Sequence, residues 1–223
     1  MGDYSHLFFT NSKIPPKRGE LADASTYLLI NRQVPLLWLA LFNPNDILTI
    51  PSDDGEDCDP YLVKERKQAI VTLDSRETWL LANFENLKPH WILQFKAVLE
   101  KTEFLYVWLD TREIGSMIGT GKEWKVTLEK ILEIFSNPPN WVVFNKILGD
   151  YKGIQSTEPW PYAGASGTDD PMPWESDSDW HIYADNPMRR FAAIHGYHIK
   201  YGVSMAEATV AVDEYIANTK RNT

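Results

Sequence analysis

The stretch FLYVWLD, residues 104–110, is the densest run of β-branched and aromatic residues in the chain. It lies between two helical patterns, so we predict a buried central strand here. The apolar faces of the two flanking helices comprise Trp91, Ile92, Phe95 and Leu99 upstream, and Trp124, Leu128, Ile131, Leu132 and Phe135 downstream. Both faces need an apolar surface to cover, and a sheet that contains this strand supplies one.

Strand and helix patterns alternate through residue 149, which predicts an α/β or α+β fold with a central, mostly buried sheet and flanking helices. The other predicted strands are residues 4–10, 47–50 and 69–73, with residues 141–148 as a last strand or a short helix. The other predicted helices are residues 22–32, the nearly all-apolar and therefore buried residues 35–42, and a helix that starts at an Asp74 N-cap. Residues 52–59 are predicted to form an acidic turn.

The composition changes after this α/β domain, which we assign to residues 1–149. Residues 150–181 are rich in Pro, Gly, Ser, Asp and Trp and show no apolar period, which predicts a long acidic, Trp-rich loop. Residues 182–223 then predict a helical hairpin packed on the domain. Gly202 ends its first helix, and Ser204 with Glu207 caps its second.

Composition and length bound the protein class. Of 223 residues, 43% are hydrophobic, which is ample for a packed core. The longest apolar run, residues 35–42, is far short of the roughly 20 residues that a membrane span needs. No cationic start precedes an apolar core, so we expect no secretory signal. The single cysteine, Cys58, forms no internal disulfide, and together these features predict a cytoplasmic protein.

Negative charge is concentrated in two segments that lack Lys and Arg. The net charge is −9, which opposes attraction to nucleic acid or to anionic membranes. The first segment, between Arg32 and Lys64, carries Asp46, Asp53, Asp54, Glu56, Asp57 and Asp59. The second, between Lys152 and Arg189, carries Glu158, Asp169, Asp170, Glu175, Asp177, Asp179 and Asp185. The uneven distribution is the strongest functional signal in the sequence.

Two short motifs resemble catalytic or phosphate-binding loops without their required residues. SMIGTGKE, residues 116–123, has Ser116 where a phosphate-binding loop needs Gly, and Glu123 where it needs a Ser or Thr for magnesium. A loop with helix capping is favoured instead. GASG, residues 164–167, departs from a nucleophile elbow by one position and is predicted to be loop.

Two groups of histidine and acidic residues are weak candidates for metal binding, and the helical hairpin is a weak candidate for DNA binding. Asp177, Asp179 and His181, or His195 and His198, could contribute metal ligands, but neither group has further ligands at a recognisable spacing. The hairpin could imitate a helix-turn-helix, yet residues 204–219 contain no Arg or Lys. We therefore predict no metal, no cofactor and no nucleic-acid partner.

Four segments carry a resemblance to known proteins: YSHLFFTNS (residues 4–12), AIVTLDSRETWLL (69–81), FLYVWLDTREI (104–114) and EWKVTLEKILEIF (123–135). Their order resembles a group of uncharacterised bacterial cytoplasmic domains. In size and acidity the chain is similar to immunity proteins of polymorphic toxin and contact-dependent inhibition systems. The resemblance covers residues 4–136 and implies no catalytic residues.

The sequence thus favours a non-enzymatic binding protein that neutralises a cationic protein, such as a bacterial nuclease-type toxin domain. The predicted partner-binding residues are the carboxylates Asp169, Asp170, Glu175, Asp177 and Asp179 and the anchors Trp160, Trp174 and Trp180. The alternatives are a carboxylate-dependent hydrolase, which would need two close carboxyls in a cleft, and a scaffold component of a larger assembly.

Overall fold

The computed structural model describes residues 4–14, 27–31, 33–51, 57–117, 119–135, 159–166, 172–177, 180–184 and 190–221. Its fold is α+β, a six-stranded antiparallel sheet with flanking helices and a C-terminal helical pair. The strands are β1 (Tyr4–Thr10), β2 (Tyr27–Asn31), β3 (Ile47–Pro51), β4 (Cys58–Glu65), β5 (Tyr106–Asp110) and β6 (Ala165–Ser166), in the spatial order β3-β4-β5-β1-β2-β6.

The helices of the described residues are α1 (Leu36–Leu39), α2 (Arg66–Asn83), α3 (Pro89–Lys101), α4 (Arg112–Ser116), α5 (Gly121–Leu132), α6 (Trp160–Ala163), α7 (His181–Ala184), α8 (Arg190–Tyr201) and α9 (Met205–Arg221). Short 3₁₀ turns cover Pro44–Asp46, Glu133–Phe135 and Pro173–Asp177. The chain divides into two compact units, unit 1 (Met1–Gly167) and unit 2 (Thr168–Thr223). None of the helices in the described ranges has the length and apolar character needed to cross a bilayer.

Strand β5 is an interior strand of the sheet, as the sequence predicts. It pairs with β1 on one side and with β4 on the other. Val107, Trp108 and Leu109 are fully buried. The apolar faces of α3 and α5 are also buried as predicted, apart from the half-buried Phe135 beyond the end of α5.

Two secondary-structure predictions are wrong. Residues 27–31 lie in strand β2 and not in a helix, because YLLIN pairs antiparallel with β1 and its Tyr, Leu and Ile side chains suit a sheet. Residues 69–73 belong to α2 and not to a strand. The helical spacing of Ala69, Leu73, Arg76 and Leu80, all buried on one side of α2, outweighs the local β-branched run.

Two loop predictions also need correction. Cys58 and Asp59 begin strand β4 where an acidic turn was expected, since they pair with Pro51 and Ile50 of β3. Residues 160–166 form α6 and β6 where a loop was expected. The predicted element at residues 141–148 lies outside the described residues.

The segment 160–166 is ordered by contacts with the core of unit 1. The Trp38 indole N–H donates to the Ala163 carbonyl at 2.9 Å, and Trp91 stacks on Tyr162 with ring centroids 5.7 Å apart. Gly164 has a φ of +79°, which lets the chain turn from α6 into β6 beside the Trp38 ring. Aromatic contacts of this kind have no local sequence period, so the pattern alone could not reveal them.

Arg76 closes the carboxyl end of the buried apolar segment 36–42. Its guanidinium donates to the carbonyls of Ala40 and Phe42, at 2.9 and 2.7 Å, and to the Asn43 side-chain oxygen at 2.6 Å. Residues 36–42 are all fully buried, as their apolar composition predicts. Backbone carbonyls at a buried helix end need donors, and this arginine supplies them.

The hairpin in unit 2 is confirmed in its turn and caps. Gly202 has a φ of +64° between α8 and α9. The Ser204 hydroxyl accepts from the Glu207 amide at 3.3 Å, while the Glu207 carboxylate accepts from the Ser204 amide at 2.8 Å. Arg190 of α8 also donates two hydrogen bonds, at 2.7 and 2.6 Å, to the Asp213 carboxylate of α9, which ties the two helices together.

Candidate functional site

The candidate site is a group of charged side chains at one end of the sheet, where β4 begins and β5 ends. We call it the carboxylate corner, and it comprises Asp57, Asp59, Asp110, Arg112 and Glu123. The register pairs Tyr61 of β4 with Asp110 of β5, which brings the start of β4 beside the end of β5. The corner therefore joins the first acidic segment of the sequence to carboxylates that lie far along the chain.

Arg112 holds the centre of the corner. Its Nε and Nη2 donate to the two oxygens of Asp110, at 3.1 and 2.8 Å. Nη1 lies 3.8 Å from the Asp59 carboxylate, and the guanidinium carbon lies 4.8 Å from the Tyr61 ring centroid. Burial alone would lower the pKa of Arg112, but the hydrogen bond to Asp110 and the nearby negative charges raise it above its ordinary value. One fixed cation thus faces two carboxylates.

Asp57 connects the corner to the start of α5. Its carboxylate accepts hydrogen bonds from the amides of Gly121 and Lys122, at 2.6 and 3.2 Å. These bonds and one from the Cys58 amide lower the pKa of Asp57, with the Gly121 bond as the largest cause. Because the helix N-terminus attracts anions, the chain's own carboxylate occupies the position that a phosphate would take in a phosphate-binding loop.

Thr120 and Glu123 form the helix cap that the sequence favours in SMIGTGKE. The Thr120 hydroxyl accepts from the Glu123 amide at 3.3 Å, and the Glu123 carboxylate accepts from the Thr120 amide at 2.8 Å. The hydrogen bonds from Thr120 lower the pKa of Glu123. Glu123 is exposed and lies close enough to Asp57 for the two charges to repel. The cap therefore places a fourth carboxylate at the corner.

The Asp57 contact predicts a pH-dependent stability. Replacing Asp57 with alanine is expected to lower the urea midpoint at neutral pH, because the folded state stabilises the ionised carboxylate. Since the folded pKa is below the unfolded value of about 4, the stabilisation is present above pH 4 and is lost as the pH falls through the folded pKa. The difference between wild type and variant should therefore shrink in acid.

Glu103 provides the control for this measurement. It is an exposed carboxylate between α3 and β5, and Glu103→Ala should leave the urea midpoint close to that of the wild type. A destabilisation by Asp57→Ala that stayed constant from neutral pH into acid would contradict the proposed role of the ionised group.

The corner retains a negative balance. Arg112 faces Asp59 and Asp110, and the charge of Lys122 acts on Asp57, so four carboxylates stand against two cations at this end of the sheet. Asp59 has 36% of its side chain exposed, against 16% for Asp110. The connection from β3 to β4 adds Asp53, Asp54 and Glu56 in sequence, although these residues lie outside the described ranges. The arrangement is chemically suited to binding cationic groups.

Two of the three predicted aromatic anchors are buried. Trp174 is fully buried and Trp180 is 3% exposed, while Trp160 on α6 is half-buried. The two buried indoles contribute to packing because their large apolar area is removed from water. We therefore correct the prediction that Trp174 and Trp180 are anchors available to a partner.

Glu175 is also buried, in contrast to the exposed carboxylate that partner binding requires. Its Oε1 lies 3.1 Å from Nδ1 of His195, and its carboxylate accepts a hydrogen bond from the Met172 amide. This carboxylate ties the 3₁₀ turn to α8. Of the other predicted carboxylates, Asp177 ends that turn, whereas Asp169, Asp170 and Asp179 lie outside the described residues.

The histidine and acidic residues weighed as candidate metal ligands do not gather into a site within the described ranges. No group of three or more His, Cys, Asp or Glu residues there is positioned to hold a metal ion. The rings of His195 and His198 have centroids 6.1 Å apart, and Nδ1 of His198 forms a hydrogen bond with the Val203 carbonyl. These histidines thus make contacts within the chain.

Comparison with protein-family models, with curated proteins and with solved structures finds no match to this chain. The fold and the carboxylate corner define the class as an α+β protein with clustered carboxylates at one end of its sheet. Sequence reasoning missed Asp110 and Arg112 at this corner. The available signal was their position, because an acid ends the central strand and an arginine follows two residues later.

Proposed function

We propose that this protein is an acidic, non-enzymatic binding protein that neutralises a cationic protein partner. The observation that carries the proposal is the carboxylate corner, where Asp57, Asp59, Asp110 and Glu123 gather at one end of the sheet against the two cations Arg112 and Lys122. The corner is held by strand pairing and helix capping, so its carboxylates are oriented before a partner arrives. Preorganised charges of one sign favour fast, specific association with a surface of opposite sign.

A nuclease-type toxin domain is the partner that we propose, in line with the resemblance to immunity proteins. Nucleases bind phosphates through basic surfaces, and a rigid set of carboxylates can occupy such a surface in place of the substrate. The net charge of −9 repels nucleic acid, so the protein would bind the nuclease and not its nucleic-acid substrate. We place this interaction in the cytoplasm, where the toxin's substrate would lie.

Capture from the native host with charge variants tests this proposal. The corner variant carries Asp59→Asn of the corner together with Asp53→Asn, Asp54→Asn and Glu56→Gln, which neighbour Asp59 in the first acidic segment of the sequence, and it leaves the helix-capping Asp57 intact. A second variant changes Asp169, Asp170, Asp177 and Asp179 to asparagine, which tests the predicted carboxylates of unit 2. The matched control removes the same number of charges from exposed residues elsewhere, through Gln substitutions at Glu65, Glu85, Glu100 and Glu103.

The wild type and the control should capture the same basic protein, and the wild type should inhibit that protein's nuclease activity. The corner variant should capture it at least tenfold less efficiently at low salt. If only the unit 2 variant loses capture, the acidic binding function stands but the corner is not its site. Equal capture by all four proteins, or no basic protein at all, would contradict the function.

A further inference from the structure

Five aromatic rings form a continuous cluster in unit 2. We call it the ring cluster, and it comprises Trp180, His181, Tyr197, Tyr201 and Tyr215. The Trp180 centroid lies 5.0 Å from those of Tyr197 and Tyr215, and 3.7 Å from that of His181. Tyr197 and Tyr201 are 4.4 Å apart on α8. The cluster therefore connects the turn of α7 to both helices of the hairpin.

The exposure of these rings differs in an informative way. Trp180 is 3% exposed and contacts His181, Tyr197 and Tyr215, which are half-buried. Tyr201 is 50% exposed at the end of α8. A tyrosine ring that remains open to solvent beside a packed aromatic cluster is available for contact with a partner, and such rings are frequent anchors at protein interfaces.

The charge of unit 2 as a whole is suited to a cationic partner. Unit 2 contains nine Asp and Glu residues against five Lys and Arg residues. Glu214 precedes Tyr215 in the sequence and is exposed, and α9 has no Lys or Arg before Lys220. The Lys200 ammonium lies 5.8 Å from the Tyr201 ring centroid, so the chain's own cation already approaches this ring.

We propose that the ring cluster binds guanidinium groups from an arginine-rich segment of the partner, with Tyr201 as its outermost contact. This inference deepens the proposed function, on which it rests for the positive charge of the partner. A guanidinium is planar and weakly hydrated, so it stacks on tyrosine faces more readily than an ammonium does. A partner arginine would replace Lys200 over the Tyr201 ring.

Titration of the full-length protein with acetyl-tetra-arginine amide tests the inference. Ring signals of ¹³C-labelled tyrosine, followed by NMR at low salt, should shift on addition of the peptide. Tyr201→Leu should weaken binding about threefold, because it keeps an apolar side chain but removes the ring face. Tyr201→Phe should bind as the wild type does. Val210→Ala, which shortens an exposed side chain on α9, should have no effect.

Equal binding by the wild type and Tyr201→Leu would overturn the inference. So would an equal loss in Tyr201→Phe and Tyr201→Leu, since the hydroxyl and not the ring face would then carry the contact. Failure here is distinguishable from failure of the proposed function. The peptide is a defined probe read out on unit 2, whereas the capture experiment compares carboxylate variants that all retain Tyr201.

Discussion

Replacing Arg76 with methionine is expected to lower the free energy of unfolding by about 3 kcal/mol. The substitution retains much of the apolar stem but removes every hydrogen bond from the guanidinium to the carbonyls of Ala40 and Phe42. Those carbonyls belong to a fully buried segment, so water cannot replace the lost donors without opening the core. Burial lowers the pKa of Arg76 to about 10, which leaves it charged at neutral pH.

Urea unfolding followed by tryptophan fluorescence measures this effect. Lys67→Met is the matched control, because Lys67 is exposed on the same helix, α2, and the change also removes one positive charge. The control should change the stability by less than about 0.5 kcal/mol. An Arg76→Met variant that unfolds at the wild-type midpoint would show that the arginine does not close the buried segment.

Replacing Gly121 with alanine is expected to cost a similar amount, about 3 kcal/mol. A Cβ at this position would lie 1.6 Å from the carbonyl oxygen of Cys58. Because the obstacle is backbone, α5 and the start of β4 must move apart, and the bond from the Gly121 amide to Asp57 would be disrupted. The substitution therefore tests the contact that holds the carboxylate corner together.

Gly119→Ala is the matched control, two residues earlier and just before α5. Its added Cβ would meet the end of the Glu123 side chain at 2.2 Å, so a side-chain carboxylate of the helix cap has to shift, and no backbone does. Thermal unfolding should show a large loss of stability for Gly121→Ala and a small one for Gly119→Ala. Equal losses in the two variants would mean that β4 and α5 do not approach as closely as described.

The sequence predicted the parts of the fold that have a strong period or a clear boundary signal. The central strand, the apolar faces of α3 and α5 and the cap formed by Ser204 and Glu207 are all confirmed. Each depends on residues that are close in the chain. Local patterns are sufficient there because packing and capping act over one or two turns.

The sequence failed where distant residues decide the outcome. Residues 27–31 can be helix or strand by composition, and pairing with β1 makes them a strand. Arg76 looks like a solvated charge until its place in the buried stripe of α2 is recognised. The carboxylate corner could not be predicted either, because strand register, and not spacing in the chain, brings Asp59 and Asp110 to the same guanidinium.

The burial of Trp174, Trp180 and Glu175 likewise depends on residues that are distant in the chain. Composition correctly indicated that the tryptophans of residues 150–181 pack and are not a plain solvated linker, since Trp174 and Trp180 are buried. Composition could not indicate whether these indoles are buried within the chain or remain exposed to a partner. A carboxylate such as Glu175 is likewise indistinguishable in sequence from its exposed neighbours until its contact with His195 is known.

The most direct measurement of the central claim is the association rate with the captured basic protein as a function of ionic strength. The wild type and the exposed-charge control should associate fast at low salt and slow steeply as salt is added. The corner variant should associate about tenfold more slowly at low salt and depend less on salt. Parallel salt dependence with equal rates for the wild type, the control and the corner variant would contradict the central claim.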